Sequence, residues 1–583
     1  MKGREQMEYS AITHYMERRY CYAIDKGKFV IRIETKKDDI EKIVLHHKDK
    51  YIPVQFINTW ASKEMVKVAS DRYHDYYEVV IDIDCICLRY QFEITDKQGL
   101  TTYYGNYEFY DEKIENNDYM FDLPQNLREE ERMEIPEWAN NKVVYQIFPA
   151  RYATTEKVSD KKWYKHPIKP MDNLKGNIRG IINSLDHLVE LGVDVIYMTP
   201  IFMSDSMHKY DTIDYYRIDP NFGTEDDLKE LVKKAHANNI KIILDGVFNH
   251  SSVKFFAFDD IKKNKEKSKY LDWYYIDSLP LDFGFIKRKP NFKCFGYFGY
   301  MPKLNLSNEE TANYFINVGK YWIEKCDIDG WRLDVGDEVI HSFWKKFRKA
   351  IKAVKKDALI IGEIWHYAGD FLEGDEWDTV MNYNFFNAVR DFVATETITA
   401  SHFLDRLGFT RGRLYRHLNP ILLNLIDSHD TARFAHMADN NTDKSKLAAA
   451  MQLLLPGMPM IYYGDEYGMT GGHDPDCRRG MLWDEKYQNA DIYNWYRNLI
   501  KVRRTYPALT EGEVIACEAC DENGIVKISR QLDDRVMTVI FHGKENSLEL
   551  DEYKGCTDIL TSKIFDGSLK GYGVLVVTSS INN

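Results

Sequence analysis

The stretch GWRLDVGDEV, residues 330–339, ends a short apolar run with an arginine and, two residues on, an aspartate. The preceding YWIEKCDID reads as the end of a helix and a turn, so 330–335 is predicted to be a buried strand. Side chains two apart on a strand share a face, which points Arg332 and Asp334 the same way. Either they form a structural ion pair, or the guanidinium keeps a carboxylate charged for chemistry. The surrounding sequence decides between these.

Working outward from it, seven further apolar runs share its character: VVYQIFP, VDVIYMTPIF, KIILDGVFNH, ALIIGEIWH, DTVMNYNF, LLNLIDSHD and MPMIYYGDE. Amphipathic stretches such as GIINSLDHLVELG and EDDLKELVKKAHANN separate them. Eight strands alternating with helices predict an α/β fold, a (β/α)8 barrel over 140–503. The gap between the third and fourth runs is long, so 251–305 is expected to be a small insert on the face that carries strand C-termini. Residues 1–124 alternate apolar and polar positions (KFVIRIETKK, YYEVVIDIDCICLRYQFEIT), which predicts an N-terminal β-sandwich. The acidic stretch 125–139, with Pro136 inside it and Pro124 before it, is expected to be a linker. GIVKISRQL, RVMTVIFHG and GYGVLVVTS predict a C-terminal β-sandwich over 504–583.

Composition removes several classes. A net charge of −13 without any basic run argues against a nucleic-acid partner. The polar start MKGREQMEYS lacks the apolar core of a signal peptide, and no window is long and apolar enough to span a bilayer. Nine scattered cysteines suit a reducing compartment, so a cytoplasmic protein with no membrane partner is expected. The lone CxxC at Cys517 and Cys520 has no second pair or histidine cluster beside it and is read as structural.

Polar residues gather at the C-terminal ends of the runs: Asp245, Asn249 and His250 at the third, Arg332 and Asp334 at the fourth, Glu363 and Trp365 at the fifth, His429 and Asp430 at the seventh. Barrel active sites are built from those ends. Any one of these residues alone suits a structural role; salt bridges have no reason to recur there strand after strand. Asp334, Glu363 and Asp430 are expected to face one pocket, and two carboxylates flanking a bond suggest glycoside hydrolysis. Arg332 should favour the charged form of Asp334, as a nucleophile needs. Glu363, after apolar ALIIG and without a cationic neighbour in sequence, should be raised by desolvation, as a general acid needs.

DGVFNH (245–250), GWRLDV (330–335), GEIWH (362–366) and DSHD (427–430) resemble the four conserved segments of the α-amylase family of retaining glycoside hydrolases. MPKLN (301–305), HKYDTIDYYRIDPNFG (208–223) and YYGDEYGMTGGHDPDCRRGMLWDE (462–485) are similar to its neopullulanase, cyclomaltodextrinase and maltogenic amylase branch. The resemblance implies roles residue by residue. Asp334 would be the nucleophile, Glu363 the acid/base, and Asp430 the third acid that holds the sugar's hydroxyls. His250 and His429 would bond that sugar, Tyr210 stack on it, and Arg332 and Asp245 support the site. Asp474 and Arg478 would grip the next sugar on the non-reducing side. Trp365 and Glu338 would line the acceptor side. His208, Lys303 and Phe295 are weaker candidates that could equally pack or brace their own loops.

The resemblance further implies action on cyclodextrins, pullulan and maltooligosaccharides, with some transglycosylation, by a homodimer whose N-terminal domain narrows a partner's cleft. Two departures stand out. The branch continues the nucleophile motif with Ala-Asn-Glu, whereas this chain has Gly336, Asp337 and Glu338. The loop after QIFP, which often holds calcium, has lost its Asn-Gly-Asp pattern and carries Asn177 where an aspartate is common. Calcium needs six to eight oxygens, so no metal and no other cofactor is expected. A glucanotransferase of the same family, and a non-catalytic glucan-binding relative, are the alternatives.

Overall fold

The eight apolar runs form eight parallel strands that close on themselves in the computed structural model, which describes residues 7–52, 60–284 and 288–580. In order they are Val144–Ile147, Val195–Met198, Lys241–Gly246, Gly330–Leu333, Leu359–Gly362, Thr379–Asn382, Leu423–Leu425 and Met458–Tyr462. Val144 pairs with Val195 on one side and Met460 on the other, which closes the ring. The strands are buried almost throughout, as parallel strands covered on both faces must be. Of the stretches read above, 1–6 at the polar start, 53–59 in the N-terminal domain, 285–287 in the insert and 581–583 at the end lie outside the described residues.

The helices between strands begin where side chains can satisfy free backbone amides. Thr224 and Asp227 form a capping box on Glu225–Ala237, and Asn308 caps Glu309–Cys326. The insert holds the helix Phe256–Asn264, and bridges pair His250 with Lys303 and Cys294 with Pro302. A hairpin absent from the reading, Phe202–Met203 with Asp214–Ile218, follows the second strand. The C-terminal runs form the antiparallel strands Ile525–Leu532, Arg535–His542 and Val574–Ser580. Ile540, Leu575 and Val577 pack with Leu550, Phe565 and Leu569 from the smaller connections.

The N-terminal residues form two antiparallel sheets around one apolar core. One contains Lys28–Lys36 and His74–Asp82; the other contains Ile40–Asp49 and Cys87–Asp96. The expected linker is ordered: Phe121–Pro124 pairs with Cys87–Asp96, Gln125–Glu130 is a helix, and Glu137–Ala139 is a short turn of 3-10 helix.

The chain divides into two compact units, and the division differs from the expected domains. Residues 1–134, 398–419 and 514–521 form one unit; 135–397, 420–513 and 522–583 form the other. The helix Ala400–Arg413 lies in sequence between the sixth and seventh barrel strands yet belongs to the N-terminal unit. Its packing explains why. A Cβ on Gly408 would lie 1.8 Å from the Ser70 carbonyl oxygen, and one on Gly412 would strike the Tyr76 ring. Lys37 pairs with Asp405 at 2.6 Å, and Arg32 Nη2 donates to the Leu414 carbonyl at 2.7 Å.

Candidate active site

Parallel register sets Asp245, Arg332 and Ile361 side by side on the third, fourth and fifth strands. The Arg332 side chain is fully buried. Its Nη1 donates to both oxygens of Asp245 at 3.1 Å and to Asp334 Oδ1 at 3.0 Å. Its Nη2 lies 2.8 Å from Glu363 Oε1 and 3.9 Å from Asp430 Oδ2. One guanidinium therefore faces four carboxyls. Glu363 has no cationic neighbour in sequence; in the fold Arg332 supplies one, from the strand a whole βα unit earlier.

The regular strand stops at Leu333, and Asp334 stands just beyond it. Asp334 N–H still donates to the Gly246 carbonyl, and Glu363 N–H to that of Leu333, so both acids sit on fixed backbone. Val335 then adopts φ 45° and ψ 45°, a left-handed conformation that costs a β-branched residue energy. That turn aims the Val335 N–H at Glu363 Oε2, 2.9 Å away. Trp365 Nε1 donates to Glu363 Oε1 at 3.2 Å. A Cβ on Gly362 would lie 2.1 Å from the Trp377 ring, so only glycine fits before the acid. Asp334 Oδ1 is held by Arg332, while Oδ2 has no hydrogen-bond partner among the described residues.

Burial pushes the carboxyls of Asp334 and Glu363 up from the usual range. Glu363 adds to the rise at Asp334, and Arg332 opposes it at both. Asp245 is pushed up to about 6, again chiefly by burial and against Arg332. Arg332 favours the charged form of Asp334, as expected, but in the free site desolvation outweighs that pull. The four acids have more negative charge than one arginine can balance.

At one pole of the site, His429 Nε2 lies 3.1 Å from Asp430 Oδ2. Gln146 Nε2 lies 2.9 Å from His429 Nδ1. The Tyr210 hydroxyl bonds His429 Nε2 and donates to Asp245 Oδ2 at 3.1 Å, with the two rings stacked 5° from parallel. His208 Nδ1 accepts from Tyr210 N–H, which places it behind that tyrosine. Arg478 donates through Nε to the His429 carbonyl at 2.8 Å and through Nη2 to Asp430 Oδ1 at 3.3 Å. It also pairs with the half-exposed Asp474 at 2.8 Å.

At the other pole, Trp365 is 48% exposed and stacks on Tyr383 at 3.8 Å. Lys303 Nζ donates to the Glu338 carbonyl at 2.9 Å and reaches its carboxylate at 3.3 Å; it also bonds Asn249 Oδ1. Lys303 thus braces the acceptor rim. His250 is buried, its ring stacks on Phe295, and its Nε2 has no partner among the described residues. Burial and Lys303 lower its pKa to about 3, so it is neutral and holds one uncommitted nitrogen. Asp337, where the branch pattern has asparagine, lies 3.7 Å from His366.

Of the fifteen singled-out residues, Asp245 and Arg332 lie on the strands themselves and the other thirteen on the segments that follow strand C-termini. Sequence reasoning missed Tyr197, whose hydroxyl donates to Asp245 Oδ2 at 2.6 Å, and also Gln146 and Tyr383. A polar Gln146 inside the otherwise apolar first run was the available signal. In the loop read for calcium, Asn177 Oδ1 accepts from Gly180 N–H at 2.7 Å and caps the helix Ile178–Asn183. No group of three or more His, Cys, Asp or Glu suited to a metal occurs among the described residues. Nor is any helix there long and apolar enough to cross a membrane.

The α-amylase catalytic-domain family matches residues 146–512, and the α-amylase N-terminal Ig-like domain family matches 7–125. A cyclomaltodextrinase of Thermoanaerobacter pseudethanolicus is 39% identical over 563 residues, covering 95% of this chain and 96% of its own. Neopullulanase 2 of Thermoactinomyces vulgaris is 37% identical over 569 residues and 96% of each chain. An intracellular maltogenic amylase of Bacillus subtilis is 36% identical over 574 residues and 96% of each. Among solved structures, a cyclomaltodextrinase superposes with a TM-score of 0.90 at 35% identity, over 98% of this chain and 100% of that one.

Proposed function

The chain belongs to the α-amylase family, and from that premise we propose a retaining hydrolase of α-1,4-glucosidic bonds in cyclodextrins, pullulan and maltooligosaccharides. The observation that carries this reading is the single guanidinium of Arg332 touching both Asp334 and Glu363. Such bridging supports the short carboxyl separation of about 5–5.5 Å that retention requires, rather than the wider gap that admits a water. Asp334 Oδ2 is uncommitted and attacks the anomeric carbon, while Glu363 donates its proton to the departing glycosidic oxygen. Burial keeps a proton among these acids; developing positive charge at the anomeric carbon favours the Asp334 anion and leaves the proton with Glu363. Water, deprotonated by Glu363, then cleaves the glycosyl ester. A sugar hydroxyl at Trp365 can take the place of water, which gives transglycosylation.

The free nitrogen of His250 and the Asp430, His429 and Arg478 group are suited to the hydroxyls of the sugar at the cleavage point. Asp474 and Arg478 take the next sugar. NMR of fresh product tests the chemistry: α-anomer first is expected, and β-anomer would exclude retention. Initial rates on β-cyclodextrin, pullulan and starch rank the substrates.

The preference for compact substrates is proposed to come from a homodimer in which the N-terminal domain narrows the partner's cleft, rejecting bulky polymers by sterics. Sedimentation through a dilution series, with the starch-to-cyclodextrin rate ratio at each concentration, tests it. A monomer at every concentration would overturn it. A chain shortened to begin near Glu130 is a poor test, because it strips the helix Ala400–Arg413 of its packing partners. A relative named intracellular, and nine free cysteines in this chain, support a cytoplasmic setting, which fractionation of the native cells would check.

A further inference from the structure

Behind the pole that carries Asp474 and Arg478 lies a second buried arginine that touches no open surface. The Arg433 side chain is fully buried, so it cannot meet substrate. Its guanidinium lies over Tyr462 at 4.0 Å and Tyr463 at 4.9 Å. Nη1 pairs with Asp465 at 2.8 Å, and Nε donates to the Cys477 carbonyl at 2.9 Å. Its own N–H donates to the Gly471 carbonyl at 3.0 Å. Asp427, at the end of the strand that leads to His429 and Asp430, accepts from the Phe434 N–H at 2.6 Å. The Cys477 thiol in turn donates to the His429 carbonyl, the same oxygen that Arg478 Nε uses.

These contacts join three elements: the end of the seventh strand, the turn after the eighth strand, and the turn 471–478. We propose that Arg433, anchored by Asp465, is a positioning residue that aims Arg478 and Asp474 at the second sugar of the substrate. The fork geometry is what the role needs. One edge is fixed on a carboxylate while Nε sets the height of the Cys477 carbonyl, one peptide from Arg478; a lysine keeps the charge but not the two-point hold. Burial raises both Asp427 and Asp465, and Asp427 adds to the rise at Asp465 while Arg433 opposes it at both.

The inference rests on the reading that Asp474 and Arg478 grip the second sugar, so its test separates the two. Steady-state kinetics of Arg433→Lys and the isosteric Asp465→Asn are compared on 4-nitrophenyl α-maltoside and 4-nitrophenyl α-glucoside, with Asp474→Ala as reference. The expected result is a fall in kcat/KM of about tenfold or more on the maltoside, mostly in KM, and less than twofold on the glucoside. Equal losses on both substrates, or none, in the isosteric variant would overturn the positioning role even if Arg433→Lys fails to fold. If Asp474→Ala leaves the maltoside preference intact, the grip itself is wrong and the inference falls with it.

Discussion

Two of the fully buried arginines, Arg32 in one unit and Arg332 in the other, show how differently a protein can use the same side chain. Arg32, in the N-terminal unit, has one carboxylate partner. Its Nε donates to Glu78 at 2.8 Å, its Nη2 to the Leu414 carbonyl, and the Tyr22 hydroxyl donates to Glu78 at 3.3 Å. Arg332, in the other unit, faces four carboxyls, one of which keeps an oxygen free. The first is balanced in charge, one cation against one anion. The second is out of balance, and its surplus charge costs stability that a catalytic site can tolerate. Excess carboxylate around a buried cation, more than burial itself, separates chemistry from architecture here.

The sharpest way to break this contrast is to remove one charge from each cluster. Asp334→Asn is expected to cut turnover on the order of 10⁴-fold or more. Because it also relieves crowding of negative charge, its Tm should rise above that of the unmodified protein. A fall in Tm with activity retained would make Arg332 a structural arginine like Arg32. Glu363→Gln should lose roughly 10²–10⁴-fold on unactivated sugars and far less on glycosyl fluorides, whose leaving group needs no acid.

The opposite pattern is expected in the N-terminal unit. Arg32→Met leaves Glu78 buried without its cation, and should cost about 3–5 kcal/mol by denaturant unfolding. The folded fraction should turn over at the normal rate, and Arg32→Met with Glu78→Leu should recover much of the loss.

A smaller effect lies in pH dependence. The folded state raises Asp245 from 3.8 to about 6. It therefore binds more protons than the unfolded state between those values, and this group's contribution to stability falls as pH rises through that window. The Tm of Asp245→Asn, relative to the unmodified protein, should accordingly climb from pH 4 to pH 6. A relative Tm that declines would show Asp245 to be a balanced partner after all. The smallest expected effect is that of a chelator: Tm and activity should be unchanged by EDTA, since Asn177 spends its oxygen on a helix cap. A drop restored by calcium would contradict this.

Much of this architecture was legible in the sequence for a physical reason. Strands buried on both faces write themselves as apolar runs, and polar residues at their ends stand out against that background, as Arg332, Asp334 and Glu363 do. What escaped was whatever depends on closure of the ring. Arg332 reaches Glu363 only because adjacent parallel strands bring distant positions into register. Tyr197, an ordinary buried tyrosine by sequence, reaches Asp245 in the same way. The helix Ala400–Arg413 fell inside the expected barrel range 140–503 only by its place in the chain; nothing in the sequence reading said what it packs against. Gly408 and Gly412 carried the missing signal. Two glycines four apart in a helix cost roughly 1 kcal/mol each relative to alanine, and they persist where another chain segment must come close, here Ser70 and Tyr76.

The central claim is that Asp334 is the residue left free to form a covalent bond. Glu363→Gln should still be glycosylated by α-maltosyl fluoride, yet lack the base that releases the sugar. Peptide-mapping mass spectrometry of that mixture should find a maltosyl ester on Asp334 and on no other residue. A maltosyl group on a different side chain, or rapid release of maltose with no ester formed, would contradict the account.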